Sequence, residues 1–376
     1  MGKKILHICN GAQGNLFYKF LFEALEKHNI EQTIIAPVSK NNLVDYKHIK
    51  CEYFYRDTGI IARMRFYRKI KKLTKFTEEK IKIDSFDMIH AHTWFSDGAV
   101  AYNLHKKYNI PYIIAIRNTD IDVFYKYFLH VRKLGYTILE NASQIIFISP
   151  AYENNVMNHL LPLKIKNKIS GKLHIIPNGT SSFWLQNKFQ KTAIFSHVKL
   201  LSIGSIIPRK NHLLLCRAVD LLRKKRINVE LTIVGKGNKD SPSYRKKVDN
   251  YIKNKSYITL LEKQEQEILM KTYREHNIFV LLSHAETFGL VYIEALTQGL
   301  PIIYSKRQGI DGYFETGKIG YAVNSKNIKE ITEAIVVAIN NYSELISNIR
   351  LIDFSLFDWE NIAKRYLEIY QIQKNS

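Results

Sequence analysis

The stretch IFVLLSHAETFGLVYIEALTQGLPIIYS (278–305) decides the architecture. Ile278–Ser283 opens as a short apolar run, the pattern of a strand buried on both faces. A polar turn follows, a helix begins near Gly289, and Pro301–Ser305 starts a second apolar run. Strand, helix and strand within one such stretch form a βαβ unit, which makes the two strands parallel. The pattern extends outward from there. KLLSIG (199–204), ELTIVG (230–235) and YITLL (257–261) precede it. Earlier still come KKILHIC (3–9), TIIAP (33–37), DMIHA (87–91), YIIAI (112–116), QIIFIS (144–149) and LHIIP (173–177). Amphipathic stretches such as 15–28, 94–107 and 122–140 separate them. Alternation of this kind predicts an α/β fold of parallel sheets with helices on both faces. Pro177-Asn178-Gly179 closes the first series, and irregular residues up to 197 precede the restart. Residues 1–185 and 196–355 are therefore read as two Rossmann-like, doubly wound domains facing a cleft. LFDWENIAKRYLEIYQIQ (356–373) reads as an amphipathic helix carrying Trp359, Ile362, Tyr366 and Ile369.

Composition narrows the function classes. The 376 residues are 46% hydrophobic and 12% aromatic, which excludes a disordered chain, and 17 glycines with 8 prolines exclude a collagen-like one. Cys9, Cys51 and Cys216 are too few and too dispersed for a disulfide framework or a zinc site. No apolar run approaches the ~18 residues of a membrane span. The stretch Ile5–Cys9 is too short for a signal-peptide core, and Leu6 breaks the myristoylation pattern after Met1-Gly2. A soluble, cytosolic protein is expected.

The net charge of +22 favours acidic partners, although lysines spread over a solvated surface explain most of it. No zinc finger, RNA-binding aromatic motif or basic zipper is present, so nucleic acid is not an expected partner. RFYRKIKKLTK (65–75) stands apart. At helical spacing it sets Phe66, Tyr67, Ile70 and Leu73 on one face and Arg65, Arg68, Lys69, Lys71, Lys72 and Lys75 on the other. Such a helix lies on anionic bilayers or packs its apolar side on its own domain, and periodicity admits both.

In doubly wound sheets ligands bind beyond the carboxyl ends of the strands. Two such loops carry chemistry. Gly204-Ser205-Ile206-Ile207-Pro208-Arg209-Lys210-Asn211 runs from a strand into a helix, and its cations with the helix amides suit a phosphate, although the same residues describe a solvated turn. Ser283–Leu296 enters its helix at Gly289, where the backbone admits close approach and free amides face a phosphate. Glu294 suits a pair of vicinal hydroxyls such as a ribose diol, but alone it reads first as a surface salt bridge. Glu286 alone reads as a favourable charge at a helix start.

Taken together, GSIIPRKN (204–211), IVGKGN (233–238), SHAETFGLVYIEALTQGLPII (283–303) and IIPNG (175–179) resemble the family 4 retaining glycosyltransferases of the GT-B fold. The resemblance covers the second domain closely. It reaches the first domain through the Gly11/Gly14 loop, the DMIHAH strand and the WEN helix, which in this family crosses back, so 356–376 is expected to pack on the first domain. The resemblance implies a nucleotide-sugar donor in the second domain and a glycan or glycolipid acceptor in the first. By it, Lys210 neutralises the diphosphate, Glu286 contacts the transferred sugar, Glu294 holds the ribose, and the amides of Phe288, Gly289 and Leu290 meet the phosphates. Gly14 belongs to the acceptor-side loop, and Arg209 assists on charge and position. No metal or other cofactor is expected.

Two departures stand out. The family's usual Arg after the glycine of the phosphate turn is Ser205 here. Where many members carry a His lining the sugar site, this chain reads Arg117-Asn118-Thr119-Asp120. Arg117 cannot act as a base, but it suits an anionic acceptor or the diphosphate, with Asp120 as its partner or as an acceptor contact. Asp120-Ile121-Asp122 mimics the D-x-D metal motif of the other large glycosyltransferase fold and is read as coincidence. His90 and His92 lack a Cys or carboxylate at ligand spacing and are read as strand-end residues. The expected activity is metal-independent, retaining transfer from a UDP-sugar to a cell-surface glycan. A catalytically weak nucleotide-binding partner subunit is the alternative, and a GT-B epimerase or phosphorylase is disfavoured. Attachment to the inner membrane face through 65–75 is the further expectation.

Overall fold

The computed structural model describes residues 2–13, 16–38, 46, 48–55, 65–192, 197–237 and 241–372. The chain forms two units: Met1–Ile148, Glu153–Gly179 and Trp359–Ser376 make the first, Ser149–Tyr152 and Thr180–Asp358 the second. The boundary thus falls at Thr180, earlier than the run up to 185 expected from sequence. The reason is Trp184, which is fully buried and meets Tyr273 of the second unit edge-on, so the short helix Ser182–Gln186 belongs there.

The first unit holds β1 (Lys4–Ile8), β2 (Glu31–Val38), β3 (Lys50–Tyr55), β4 (Met88–Ala91), β5 (Tyr112–Ile116), β6 (Gln144–Phe147) and β7 (Leu173–Ile175). They form one parallel sheet in the order β3-β2-β1-β4-β5-β6-β7. The second unit holds β8 (Val198–Ile203), β9 (Val229–Val234), β10 (Ile258–Leu261), β11 (Ile278–Leu281), β12 (Ile302–Ser305) and β13 (Gly320–Val323), in the order β10-β9-β8-β11-β12-β13, again parallel. In each sheet the strand order reverses next to the first strand, between β1 and β4 and between β8 and β11. Helices leave those two strands toward opposite faces, so the crevice at their carboxyl ends is where a ligand fits.

Strands β3 and β13 were not anticipated. Both are edges: KCEYFY is only partly buried apart from its exposed ends, and GYAV opens on a glycine and is only half-buried at its two middle residues, so neither shows the continuous apolar run of a central strand. The amphipathic stretch 122–140 divides into a π-helical turn at Asp120–Tyr125 and a helix at Arg132–Asn141.

The helix Trp359–Gln371 returns to the first unit as expected, packing on the helix Leu16–Glu26. Its Trp359, Ile362, Ala363, Tyr366, Ile369 and Tyr370 join the first core. Gly179 is what admits it: a Cβ there would lie 2.4 Å from the Trp359 ring. The helix Phe66–Lys80 turns Phe66, Ile70, Leu73 and Thr77 into its own domain, which decides its apolar face in favour of core packing. Among the described residues no helix is long and apolar enough to cross a membrane.

Candidate active site

The second unit assembles its site at the β8/β11 reversal. After β8 the chain makes a 3-10 turn, Pro208–Lys210, with Pro at its start and Asn211 left-handed at its end (φ 59°). After β11 the loop Leu282–Gly289 leads into the helix Leu290–Thr297. The two loops are tied in both directions: the His284 amide donates to the Arg209 carbonyl (2.8 Å), and Arg209 Nη1 donates to the Ala285 carbonyl (3.1 Å). Asn211 Nδ2 fixes the turn from the far side through the Ser325 carbonyl (2.7 Å).

These ties bring Lys210 Nζ to 2.5 Å from Glu286 Oε2, although the two residues are 76 apart in sequence. The side chains retain 13% and 11% of their exposure, so the pair is largely shielded from water and interacts more strongly than a surface pair. Ser283 Oγ donates to the same carboxylate oxygen at 3.2 Å. The backbone of Glu286 is pinned as well: its amide donates to Gln308 Oε1 (3.0 Å), and its carbonyl accepts from the Gly309 amide (2.9 Å). Gly309 is required for that approach, because at φ 52° a Cβ would stand 2.7 Å from the Phe288 carbonyl oxygen.

Gly289 caps the helix in a left-handed conformation (φ 80°, ψ 69°) and brings no side-chain cap. The first amides of the helix are therefore left for a ligand, and the helix dipole makes that end attractive to an anion. Phe288 itself is buried and meets the Tyr313 ring edge-on, so its side chain is core and only its backbone belongs to the site. Glu294 lies one turn further along. Tyr273 Oη donates to its Oε2 at 3.0 Å. Burial raises the Glu294 carboxyl to about 7, against the pull of the Tyr273 hydrogen bond.

Lys210, Arg209, Glu286, Gly289, Leu290 and Glu294 thus come from the two loops that meet at the strand reversal and from the helix that follows. Tyr273, Ser283 as an anchor, and Gln308 were missed as site residues. Tyr273 stands on the helix Gln266–Glu275 before β11, where no local pattern points to Glu294.

The first unit places Arg117 at the carboxyl end of β5. Its guanidinium is buried, donates from Nη1 to Asn178 Oδ1 (3.0 Å), and lies 5.4 Å and 5.9 Å from the ring centres of Phe17 and Tyr18. Among the described residues its Nε has no hydrogen-bond partner. Asp120 corrects the sequence expectation. Its carboxylate is fully buried and accepts from the backbone amides of Trp94 (3.0 Å), Phe95 (3.1 Å) and Arg117 (2.9 Å), so it fastens its own loop after β5 to the segment after β4 and cannot reach a substrate. Burial lifts it to about 6, opposed by those three bonds. The same enclosure removes Asp120 as a metal ligand in the D-x-D reading. Gly14 lies outside the described residues.

His90 and His92 are also corrected. Both are fully buried, with rings stacked at 3.9 Å, and His7, in register with His90 on β1, joins them. His7 Nδ1 lies 3.0 Å from His92 Nε2, and His90 Nδ1 lies 2.8 Å from Tyr370 Oη. Burial drives all three imidazoles down, His7 to about 3. They therefore stay neutral and pack as aromatic core beneath the C-terminal helix.

Comparison with known proteins accords with this geometry. The model of glycosyl transferases group 1 matches residues 186–350, and that of glycosyltransferase family 4 matches 19–181. An uncharacterized glycosyltransferase of Methanocaldococcus jannaschii is 23% identical, with 94% of this chain and 93% of that one covered. The alpha-monoglucosyldiacylglycerol synthase of Acholeplasma laidlawii is 27% identical, covering 69% and 66%. Among solved structures, sucrose-phosphate synthase from Thermosynechococcus elongatus superposes with a TM-score of 0.76 at 21% identity, covering 98% of both chains. Anabaena HepE in complex with UDP and glucose superposes at 0.70 with 16% identity, covering 98% and 99%. With both halves matched and the two-sheet fold in place, the chain belongs to the family 4 glycosyltransferases of the GT-B fold and is a glycosyltransferase enzyme.

Proposed function

We propose that this enzyme moves a sugar from a nucleoside-diphosphate sugar, a UDP-sugar first, to a lipid-linked or polymeric glycan of a bacterial cell surface, of capsule, lipopolysaccharide or teichoic type. The transfer retains anomeric configuration and needs no metal. The observation that carries the reading is the Lys210–Glu286 pair beside the uncapped helix start at Gly289, with Glu294 one turn beyond. The leaving group is a nucleoside diphosphate, so stabilising its developing charge is most of the catalytic task. Lys210 and the amides of Gly289 and Leu290 supply positive potential that is already in place, which is where electrostatic catalysis is most effective. A diphosphate arriving at Lys210 competes with Glu286 and frees that carboxylate for hydroxyls of the sugar. Glu294, ionised, accepts from the ribose diol. The UDP and glucose held by HepE favour a uridine donor.

On the acceptor side, the glycolipid made by the Acholeplasma relative and the exposed lysines of 66–80 favour an acceptor presented at a membrane. Arg117 then meets an anionic group of the acceptor or the diphosphate, because no described residue takes the hydrogen bond of its buried Nε.

The test is donor turnover with UDP-glucose, UDP-galactose and UDP-N-acetylglucosamine, alone and with bacterial glycolipid extracts, followed by NMR of the anomeric proton. An α-linked or α-released sugar, produced equally with EDTA present, is the expected result. A β anomer or loss of activity in EDTA contradicts the proposal. Donor binding without turnover under every condition favours the nucleotide-binding partner subunit instead.

A further inference from the structure

Glu294 is held by a residue that stands outside both loops of the site. Tyr273 lies on the helix Gln266–Glu275 and is fully buried. Its ring is fixed from two sides: Trp184 meets it edge-on at 5.4 Å, and Phe279 of β11 lies at 6.0 Å. The backbone behind it is fixed as well. Lys191 Nζ donates to the Tyr273 carbonyl at 3.3 Å. Arg274 Nε donates to Gln298 Oε1 at 2.9 Å, and Arg274 Nη2 and Gln298 Nε2 converge on the Asn187 carbonyl at 2.9 Å and 3.0 Å. Arg274 and Gln298 stand at the ends of the helices Gln266–Glu275 and Leu290–Thr297, so these bonds clamp the two helices together.

The clamp sets the Tyr273 hydroxyl 3.2 Å from the Val291 carbonyl and 3.0 Å from Glu294 Oε2. A phenol has one proton to give, and the Val291 carbonyl alone satisfies it. Burial of the ring therefore does not require the carboxylate. Glu294 is only half-buried, on a long flexible side chain, and Tyr273 is its carboxylate's hydrogen-bond partner among the described residues. The charged side chains of the surrounding elements are engaged elsewhere: Lys210 with Glu286, Arg209 with the Ala285 carbonyl, Lys191 and Arg274 within the clamp, and Glu275 acting on Lys191 and His276. A rigid donor thus orients a flexible acceptor, the arrangement that preorganises a binding group.

We propose that Tyr273 is a positioning residue of the donor site, its hydroxyl aiming the Glu294 carboxylate at the ribose diol. A hydrogen bond given to a carboxylate also stabilises its ionised form, which is the form that accepts from a diol. The inference deepens the proposed function and rests on its assignment of Glu294 to the ribose.

Tyr273→Phe keeps the ring and removes only the hydroxyl. Calorimetric titration of UDP-glucose into the wild type, Tyr273→Phe, Glu294→Ala and the double variant, between pH 6 and 9, tests the role. Losing a hydrogen bond to a charged acceptor should raise the pH midpoint of binding by about one to two pH units. Relative to the wild type, Tyr273→Phe should therefore bind about ten-fold more weakly at pH 7 and recover to within about three-fold at pH 9. At pH 8 it should release about half a proton or more per donor, where the wild type releases almost none. In the Glu294→Ala background the same substitution should be silent. Circular dichroism confirms that each variant is folded. Unchanged binding in Tyr273→Phe overturns the inference, as does a loss that is constant from pH 6 to 9 or that persists without Glu294, which would make Tyr273 a packing residue. Wild-type affinity in Glu294→Ala would instead strike the ribose assignment in the proposed function, and this inference with it.

Discussion

Lowering the pH from 8 to 6 should weaken donor binding by about ten-fold, through Glu294. A diol donates its hydroxyl protons, so the binding form is the carboxylate. Burial sets the free carboxyl at about 7. The ionised fraction is then about nine-tenths at pH 8 and about one-tenth at pH 6. If the donor binds only the ionised form, apparent affinity falls by that ratio, about 1.4 kcal/mol. Linkage adds a second signature: binding should release about one proton per donor at pH 6 and almost none at pH 8. UDP-glucose is the suitable probe because its diphosphate diester does not titrate in this range. Calorimetry at each pH, in two buffers of different ionisation enthalpy, reads both quantities. Glu294→Gln should bind weakly with no slope between pH 6 and 8. A wild type whose affinity is flat over that range, or a variant that keeps the slope, refutes the assignment of Glu294 to the ribose.

Lys210→Ala should lower turnover by about 10²–10³, the usual effect of removing one preorganised charge from a site of this kind. It also leaves Glu286 without its cation, which costs up to about 3 kcal/mol in a shielded site, readable as a lower urea midpoint. Gly289→Ala places a Cβ 2.6 Å from the Tyr292 ring, whose hydroxyl is held by the Leu281 carbonyl at 2.8 Å. Left-handed strain and overpacking together should cost about 3 kcal/mol and weaken donor binding; unchanged unfolding and calorimetry would show that the turn tolerates a side chain. His7→Phe tests the neutral imidazole core. His7 stays unprotonated down to about 3 when folded, whereas an unfolded histidine takes up a proton below about 6.5. The folded state therefore loses stability as pH falls, about 2 kcal/mol for this group between pH 8 and 5. Relative to the wild type, the variant should gain that amount over the same range, whatever its offset at pH 8; a constant difference would mean that His7 is protonated in the fold.

Much of this was legible in the chain. Central strands such as Tyr112–Ile116 are buried on both faces and announce themselves as apolar runs, while the edge strands Lys50–Tyr55 and Gly320–Val323 carry too little buried surface to do so. That Lys210 and Glu286 belong to one site followed from placing both at strand ends, since the parallel topology brings those ends together, but their direct ion pair was not anticipated. The same reasoning could not find Tyr273 or Gln308, whose contacts depend on how neighbouring helices and loops pack. It also misjudged Asp120, because a carboxylate that accepts three amides looks in sequence like one offered to a ligand. The helix Phe66–Lys80 was ambiguous for a related reason: an apolar stripe has the same period whether it meets a core or a bilayer.

The central claim is a nucleoside-diphosphate site built from Lys210, Glu294 and the amides at Gly289. Calorimetric titration of UDP, GDP and dTDP into the wild type, Lys210→Ala and Glu294→Ala tests it most directly. One nucleotide, UDP first, should bind the wild type with one site per chain and lose most of its affinity in both variants. Failure of all three nucleotides to bind the wild type, or binding that survives both substitutions, contradicts the account.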